Sequence, residues 1–388
     1  MNTLPVTDHS LDYAAPEELF ETGERTGLEA ELSSAEYPSD IARPFDPEKI
    51  KVLRETKTIS LLATRIDHKE IDLAPEFQRL ARIWDIGRKS RLIESVLLRI
   101  PLPVFYVASD FEDAWSVVDG LQRLTTIHDF MKDKYRLKGL EYLTQFTDLT
   151  FSSLPRNMQR RIEETELVVN VIQPGTPEEV MFNIFSRINT GGLTLNGQEI
   201  RHALNKGPAR RFLKDLAESP AFLRATARSI SDKRMAAREC ALRFLAFWMT
   251  PWHDYETSDL DGFLNAAMQR LNSLTPIELT GCKESYERAM RAAFEIFGVD
   301  SFRKRYTPMA PRNPISKALF ETWSVSLARL SVRELNHVIS SRDLVKDRFM
   351  NLMMTDRDFD VSISYSTGSP SRVHKRFHEI EMLLKEIA

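Results

Sequence analysis

Val117-Val118-Asp119-Gly120-Leu121-Gln122-Arg123-Leu124-Thr125-Thr126 is the stretch that decides the fold. Upstream, Val104 to Val107 is apolar, β-branched and aromatic, and after a short polar break Trp115 to Val118 repeats that character. Both segments read as buried strands. Asp119-Gly120 breaks the pattern, and Leu121, Leu124, Ile127, His128 and Met131 then fall at helical spacing. The sequence predicts strand, acidic-glycine turn, helix. A helix start offers unpaired N–H groups and the positive end of the helix dipole, a combination that suits a phosphate. Gly120 would let a backbone or ligand approach closely, and Arg123 in the first turn would add a forked, fixed charge. The plain structural alternative is that Asp119 caps the helix and Arg123 is solvated.

Working outward, Ile71-Asp72-Leu73-Ala74-Pro75-Glu76-Phe77-Gln78-Arg79 precedes Trp84. Pro75 argues for an extended or turning chain. Arg79, Arg82 and Trp84 make either a second wall of an anion or base site or a packed tryptophan beside surface arginines. Pro47 to Glu55 reads as a short helix and Ser60 to Ala63 as a strand. Lys89 to Arg99 is an amphipathic helix with Leu92, Ile93, Val96 and Leu97 on one face. Pro101 and Pro103 end it. Phe151 to Glu164 reads as a helix and Leu167 to Ile172 as a strand. Thr176 to Arg187 reads as a helix with Thr176 as cap and Pro177 at its first position. It leads into Arg187-Ile188-Asn189-Thr190-Gly191-Gly192, either an anion-binding nest or a simple glycine C-cap. Leu195-Asn196-Gly197-Gln198-Glu199-Ile200-Arg201 opens a further helix, and its polar residues suit a site and a surface equally.

From Lys206 onward the pattern is almost all helical, without an internal repeat, and closes with a Ser/Thr/Gly loop over 362–371 and a last helix, Val373 to Ile387. At the other end, residues 1–45 carry ten acidic and two basic residues, leaving about +5 for the rest of a chain whose net charge is −3. This acidic segment has little periodicity and is expected to be a disordered tail. The expected domains are therefore the tail at 1–45, an α+β domain at 46–205 and a helical domain at 206–388. A chain of 388 residues with 42% hydrophobic and 28% charged residues has the composition of a soluble globular protein. It has no apolar run of the roughly 18 residues a membrane span needs. Without a secretory pattern, and with only Cys240 and Cys282, a cytoplasmic location and two inert buried thiols are expected. No Walker-type Gly-Lys-Ser/Thr loop is present.

Four segments, in order, resemble the GmrSD-type restriction family and its DGQQR-motif domain. They are Pro75 to Arg79 with Trp84, Leu92 to Ser95 through Pro103, Val118 to Thr126, and Phe185 to Gly192 with Gln198 to Arg201. The resemblance implies a small ParB/sulfiredoxin-like mixed sheet with helices, followed by a mainly helical region. It implies binding or hydrolysis of a nucleoside triphosphate in some members, in systems that restrict foreign DNA; on a triphosphatase reading a Mg2+ ion would offset the phosphate charge. Carried over by position, Asp119, Gln122 and Arg123 become catalytic candidates, with Asp119 also the metal candidate. Gln78, Arg79, Trp84, Gly120, Arg187, Asn189, Thr190, Gly191, Gln198 and Arg201 become ligand-binding candidates. Leu121 departs from the family, which has a glutamine there, and a leucine can neither donate nor accept. Among eight histidines, His337, His374 and His378 lie late but not in a His-Asn-His arrangement, so the family's C-terminal nuclease is not expected here. The expected partners are a nucleotide, DNA, a partner nuclease or defence subunit, and a second copy of the chain. The alternatives to a triphosphatase are a DNA-binding or DNA-cleaving protein, or a nucleotide sensor without turnover that recruits a nuclease.

Overall fold

The computed structural model describes residues 15–20, 23–31, 51–73, 84–176, 181 and 196–388. The chain forms two compact units, Pro44–Leu204 and a second made from both flanks, Met1–Arg43 with Asn205–Ala388.

The acidic N-terminal segment is not a free tail where it is described. Strands β1 (Glu17–Leu19) and β2 (Arg25–Glu29) pair antiparallel. Leu28 is fully buried, and the backbone of Gly27 and Glu29 bonds that of Ile315 at 3.0 and 2.8 Å. Gly27 has φ +84°, and an added Cβ would lie 1.9 Å from the Ser229 carbonyl oxygen, so only glycine fits. Four buried residues in a row, Thr26 to Glu29, one of them an acid, are too short a signal to stand out among so many acids.

The unit 44–204 is α+β. Its elements are β3 (Val52–Thr58), α1 (Ile59–Asp67), β4 (Ile71–Asp72), α2 (Ile86–Leu97), β5 (Phe105–Ser109), β6 (Trp115–Asp119), α3 (Leu121–Met131), α4 (Arg156–Glu164), β7 (Glu166–Ile172) and α5 (Gly197–Leu204). The mixed sheet runs β3-β7-β5-β6-β4. The β3–β7 and β5–β6 pairs are antiparallel; β5–β7 and β4–β6 are parallel. Alternation along the strands sends Phe105, Val107, Val117, Val169 and Val171 to one face, against Ile93, Leu97, Leu124, Ile127 and Phe130 of the helices. Ala108, Val118 and Ile172 point to the other face and meet Ile200 of α5.

Two element predictions are overturned. The described part of the expected helix over Pro47 to Glu55 is β3, an edge strand whose exposed residues show no apolar alternation. The expected strand Ser60 to Ala63 lies inside α1, where Thr58 caps Leu61 N–H at 3.3 Å and Ile59, Leu62 and Ala63 are buried. The helix expected over Phe151 to Glu164 starts with a short 3-10 turn, and α4 begins only after Pro155. Most of the predicted Thr176 to Arg187 helix lies outside the described residues.

The flanking unit continues with α6 (Pro208–Ala217), α7 (Pro220–Ala225), α8 (Ala236–Met249), α9 (Leu260–Ser273), α10 (Pro276–Phe297), α11 (Lys317–Arg329), α12 (Val332–Ser340), α13 (Arg342–Thr355), α14 (Arg357–Ser362) and α15 (Pro370–Ile387). Helices α8 and α11 are buried nearly all round, as core helices are. Phe244, Phe247, Tyr286, Phe320 and Trp323 pack there. Both cysteines are buried, and burial pushes the Cys240 thiol up to about 12, far from a reactive thiolate. No described helix is long and apolar enough to cross a membrane.

Candidate functional site

The site is built where β6 hands over to α3. Gly120, not Asp119, is the N-cap residue, with φ +94° and no side-chain cap bond. An added Cβ at Gly120 would lie 2.3 Å from Phe105 Cδ1. Two constraints therefore select glycine here: the left-handed backbone and the ring beneath it.

Freed from capping, the Asp119 carboxylate accepts from Arg123 Nη2 at 2.9 Å. Arg123 is neither solvated nor idle. Its Nη2 also donates to the Val104 carbonyl at 3.2 Å, its Nη1 donates to the Pro103 carbonyl, and its guanidinium carbon lies 4.3 Å from the Phe105 ring centre. Burial draws Arg123 below the ordinary guanidinium range while Asp119 opposes that drift, so it stays a cation. Arg123 thus ties the start of α3 to the entrance of β5 and holds the Asp119 carboxylate in one orientation.

Gln122, Thr125 and Thr126 lie at i, i+3 and i+4 and share one face of α3. Gln122 Oε1, Thr125 Oγ1 and Thr126 Oγ1 are buried without a hydrogen-bond partner. Thr126 is 0% exposed, and a mid-helix threonine ordinarily returns its hydroxyl to the preceding turn. Buried polar atoms left unsatisfied cost roughly 1–3 kcal/mol each, so three on one face of α3 call for a partner that the protein itself does not supply. Sequence reasoning named Gln122 but missed Thr125 and Thr126. Their signal was present as two hydroxyls on the face of Gln122 in an otherwise apolar helix.

Helix α5 lies against β6, the strand that carries Asp119, with Ile200 packed on Val118. Asn196 and Glu199 cap its start reciprocally, at 2.9 and 2.8 Å. Gln198 Oε1 accepts from Arg201 Nε at 2.9 Å, both residues are buried, and Gln198 Nε2 is a fourth polar atom without a partner. Arg201 is thereby part of the support of Gln198. Strand β4 runs parallel to β6 with Asp72 opposite Ser116, which sets Leu73 on the Asp119 side. Trp84 is partly buried, and Arg88 lies 4.5 Å over its ring. Leu121 is partly buried against the hydrophobic cluster of the sheet and helices, a packing role where a polar one was open. Gln78, Arg79, Arg187, Asn189, Thr190 and Gly191 lie outside the described residues.

Glu94, inside the second matched segment, serves the fold. Burial alone would raise its carboxyl, but N–H groups of Leu143, Glu141 and Tyr142 donate to it at 2.8, 3.1 and 2.7 Å and hold it below the usual range. Among the described residues no group of three or more His, Cys, Asp or Glu is placed to hold a metal ion.

Residues 61–205 match the family model described as the GmrSD restriction endonuclease, N-terminal domain. Neither a curated protein nor a solved structure matches the chain.

Proposed function

We propose, from the premise that residues 61–205 are a GmrSD-type restriction endonuclease N-terminal domain, that this chain is a component of a DNA restriction or anti-phage system. In it the β6–α3 junction binds, and hydrolyses, a nucleoside triphosphate. The observation that carries this reading is the trio of unsatisfied oxygens on Gln122, Thr125 and Thr126 beside the start of α3. The phosphates would meet the N–H groups of that helix start, and the buried polar face would take the polar atoms of the rest of the ligand.

Gly120 keeps the backbone open, Asp119 supplies a carboxylate at the mouth, and Arg123 positions Asp119. Gln122 would orient the attacking water, a task its free Oε1 suits. Among the described residues no acidic cluster cages an ion, and Asp119 suits a Mg2+ ion that arrives on the phosphates and keeps most of its waters. That ion would offset charge on the phosphates.

Purified protein with ATP, GTP, CTP or UTP, each with and without Mg2+, tests the reading by thermal shift. Ligand at about 100 times its dissociation constant adds about 2.7 kcal/mol of apparent stability. A shift lost in Gln122→Ala, together with phosphate release lost in Asp119→Ala, is the expected result. No shift with any of the four sinks the reading. Leu121 supports a second reading, a nucleotide sensor without turnover that recruits a partner nuclease, since the family glutamine is replaced by a packed leucine. Tight binding with no phosphate release selects it.

A further inference from the structure

The flanking unit holds a second constellation, far in character from the first. Arg243, Arg376, Lys304 and Lys317 are all buried or nearly so, with side-chain exposures of 3%, 0%, 4% and 11%. The helices supply them with two buried carboxylates. Glu239 meets Arg243 at 2.9 Å and Lys317 at 3.3 Å; Glu321 meets Arg243 at 3.4 Å and also Arg376. Asp360 nearby is taken by the Tyr306 hydroxyl at 2.7 Å. The remaining positive charge is met from the N-terminal segment. Glu29 contacts Lys304 at 2.5 Å, and Glu31 contacts Arg243 at 3.0 Å. Two hydroxyls join them: Ser364 accepts from Lys304 at 2.7 Å, and Thr367 donates to Glu31 at 3.1 Å. The loop 362–371 that carries these hydroxyls is held by Arg376, which donates to the carbonyls of Ser362 and Thr367.

Two features set this apart from an ordinary buried ion network. Glu29 is 6% exposed, yet its Oε2 has no hydrogen-bond partner. A buried pair gains only when the remaining lone pairs are satisfied, so Glu29 fills its place imperfectly. Glu29, the last residue of β2, and Glu31 are also only one residue apart and each meets a buried cation of the helices, so together they bring two negative charges. A phosphate group carries about −1.5 to −2 charge on three acceptor oxygens. Arginine, lysine and hydroxyl donors in one place suit such an ion.

We infer that Arg243, Lys304, Lys317, Ser364 and Thr367 form a binding site for a phosphate group, and that Glu29 and Glu31 occupy it in cis as stand-ins. The N-terminal hairpin is then a strap that a phosphate-bearing ligand displaces at its Glu31 end, while Leu28 and the Gly27–Ile315 pairing anchor the other end. Glu31 is suited to be the moving part, since its side chain is 40% exposed.

The test uses the full chain and calorimetric titration with inorganic phosphate, and with 5′-phosphorylated and 5′-hydroxyl forms of one short oligodeoxynucleotide. Glu31→Gln removes a competing charge while keeping an acceptor for Thr367, and should tighten inorganic phosphate about tenfold, the scale of one charge-assisted hydrogen bond. Adding Lys317→Gln should cancel the gain. Preference for the 5′-phosphorylated oligonucleotide assigns the phosphate to a nucleic-acid end; equal weak binding of both forms alongside tight inorganic phosphate assigns it to a free ion. The unsubstituted chain gives an independent measurement: saturating phosphate should speed amide exchange at Ala30 and Glu31 while the amides bonded across to Ile315 keep their protection. A folded Glu31→Gln chain with unchanged phosphate affinity overturns the inference. So does a gain that survives Lys317→Gln, or exchange that phosphate leaves unaltered.

Discussion

Replacing Gly120 with alanine tests the account of the β6–α3 junction most directly. Two costs add. The backbone there has φ +94°, where an L-residue with a Cβ is disfavoured by about 1–2 kcal/mol. The new methyl would also lie 2.3 Å from Phe105 Cδ1 and 2.8 Å from Cε1, and forcing atoms into a packed place costs about 1–3 kcal/mol. The expected total is roughly 2–5 kcal/mol. Phe105 is 2% exposed and carries Arg123 on its ring, so it cannot turn away without releasing that guanidinium. The assay is hydrogen exchange of β5 and β6 amides at increasing urea, which reads this unit alone. A partner variant separates the terms. Phe105→Val deletes the two nearest ring atoms, and on that background Gly120→Ala should cost only the backbone share, about 1–2 kcal/mol. The reasoning fails if Gly120→Ala lies within about 0.5 kcal/mol of the parent. It fails equally if the cost is the same with and without the ring.

Thr126→Val should leave the ligand-free protein as stable or slightly more so, because it removes a buried hydroxyl that has no partner, while it weakens nucleotide binding in the thermal-shift assay. A stability loss above about 1 kcal/mol would mean the hydroxyl is already satisfied. Arg123→Gln should lower stability by about 2 kcal/mol through the lost ties to the Pro103 and Val104 carbonyls, and should lower kcat more than it raises KM if Asp119 loses its orientation. Glu94 gives a pH signature. Its folded carboxyl titrates below the unfolded value of about 4.3, so its contribution is complete above that pH and is lost as pH falls through the folded value. Urea titrations between about pH 6 and pH 3 should therefore show a shallower acid decline in Glu94→Gln than in the parent. Leu28→Ala should cost about 2–5 kcal/mol in the helical unit, measured by the melting of its amide protection, since the side chain is fully buried there.

The residues around Asp119 were legible because β5, β6 and α3 are each buried on a regular period. Strands Phe105–Ser109 and Trp115–Asp119 alternate between two covered faces, and Gly120 marks the break between periods. Strand Val52–Thr58 was not legible, because an exposed edge strand needs no apolar alternation, and Thr58 as a helix cap looks like any strand threonine. At the site, the placement of Gln122 followed from the motif. The tasks of Arg123 did not, because two of its partners are backbone carbonyls 19 and 20 positions away, and backbone carbonyls have no sequence signature. The hairpin Glu17 to Glu29 escaped for a related reason. Its carboxylates answer cations such as Lys304, 275 positions on, and a charge paired at that distance reads locally as solvated tail.

The backbone of Ala15 bonds the side chain of Asn313, 298 positions later. On a ribosome adding about 5–20 residues per second, the first partner of that bond waits roughly 15–60 s for the second. The sheet unit is complete in sequence by Leu204 and is free to fold in the interval, while the strap, having no finished surface to settle on, trails as extended chain. Its six glutamates between positions 17 and 31 keep it wetted and away from other nascent chains during that wait. The closing of the molecule is thus the last event of its birth, and any delay in translation between the two units lengthens the time for which the N-terminal segment is open to cellular proteases.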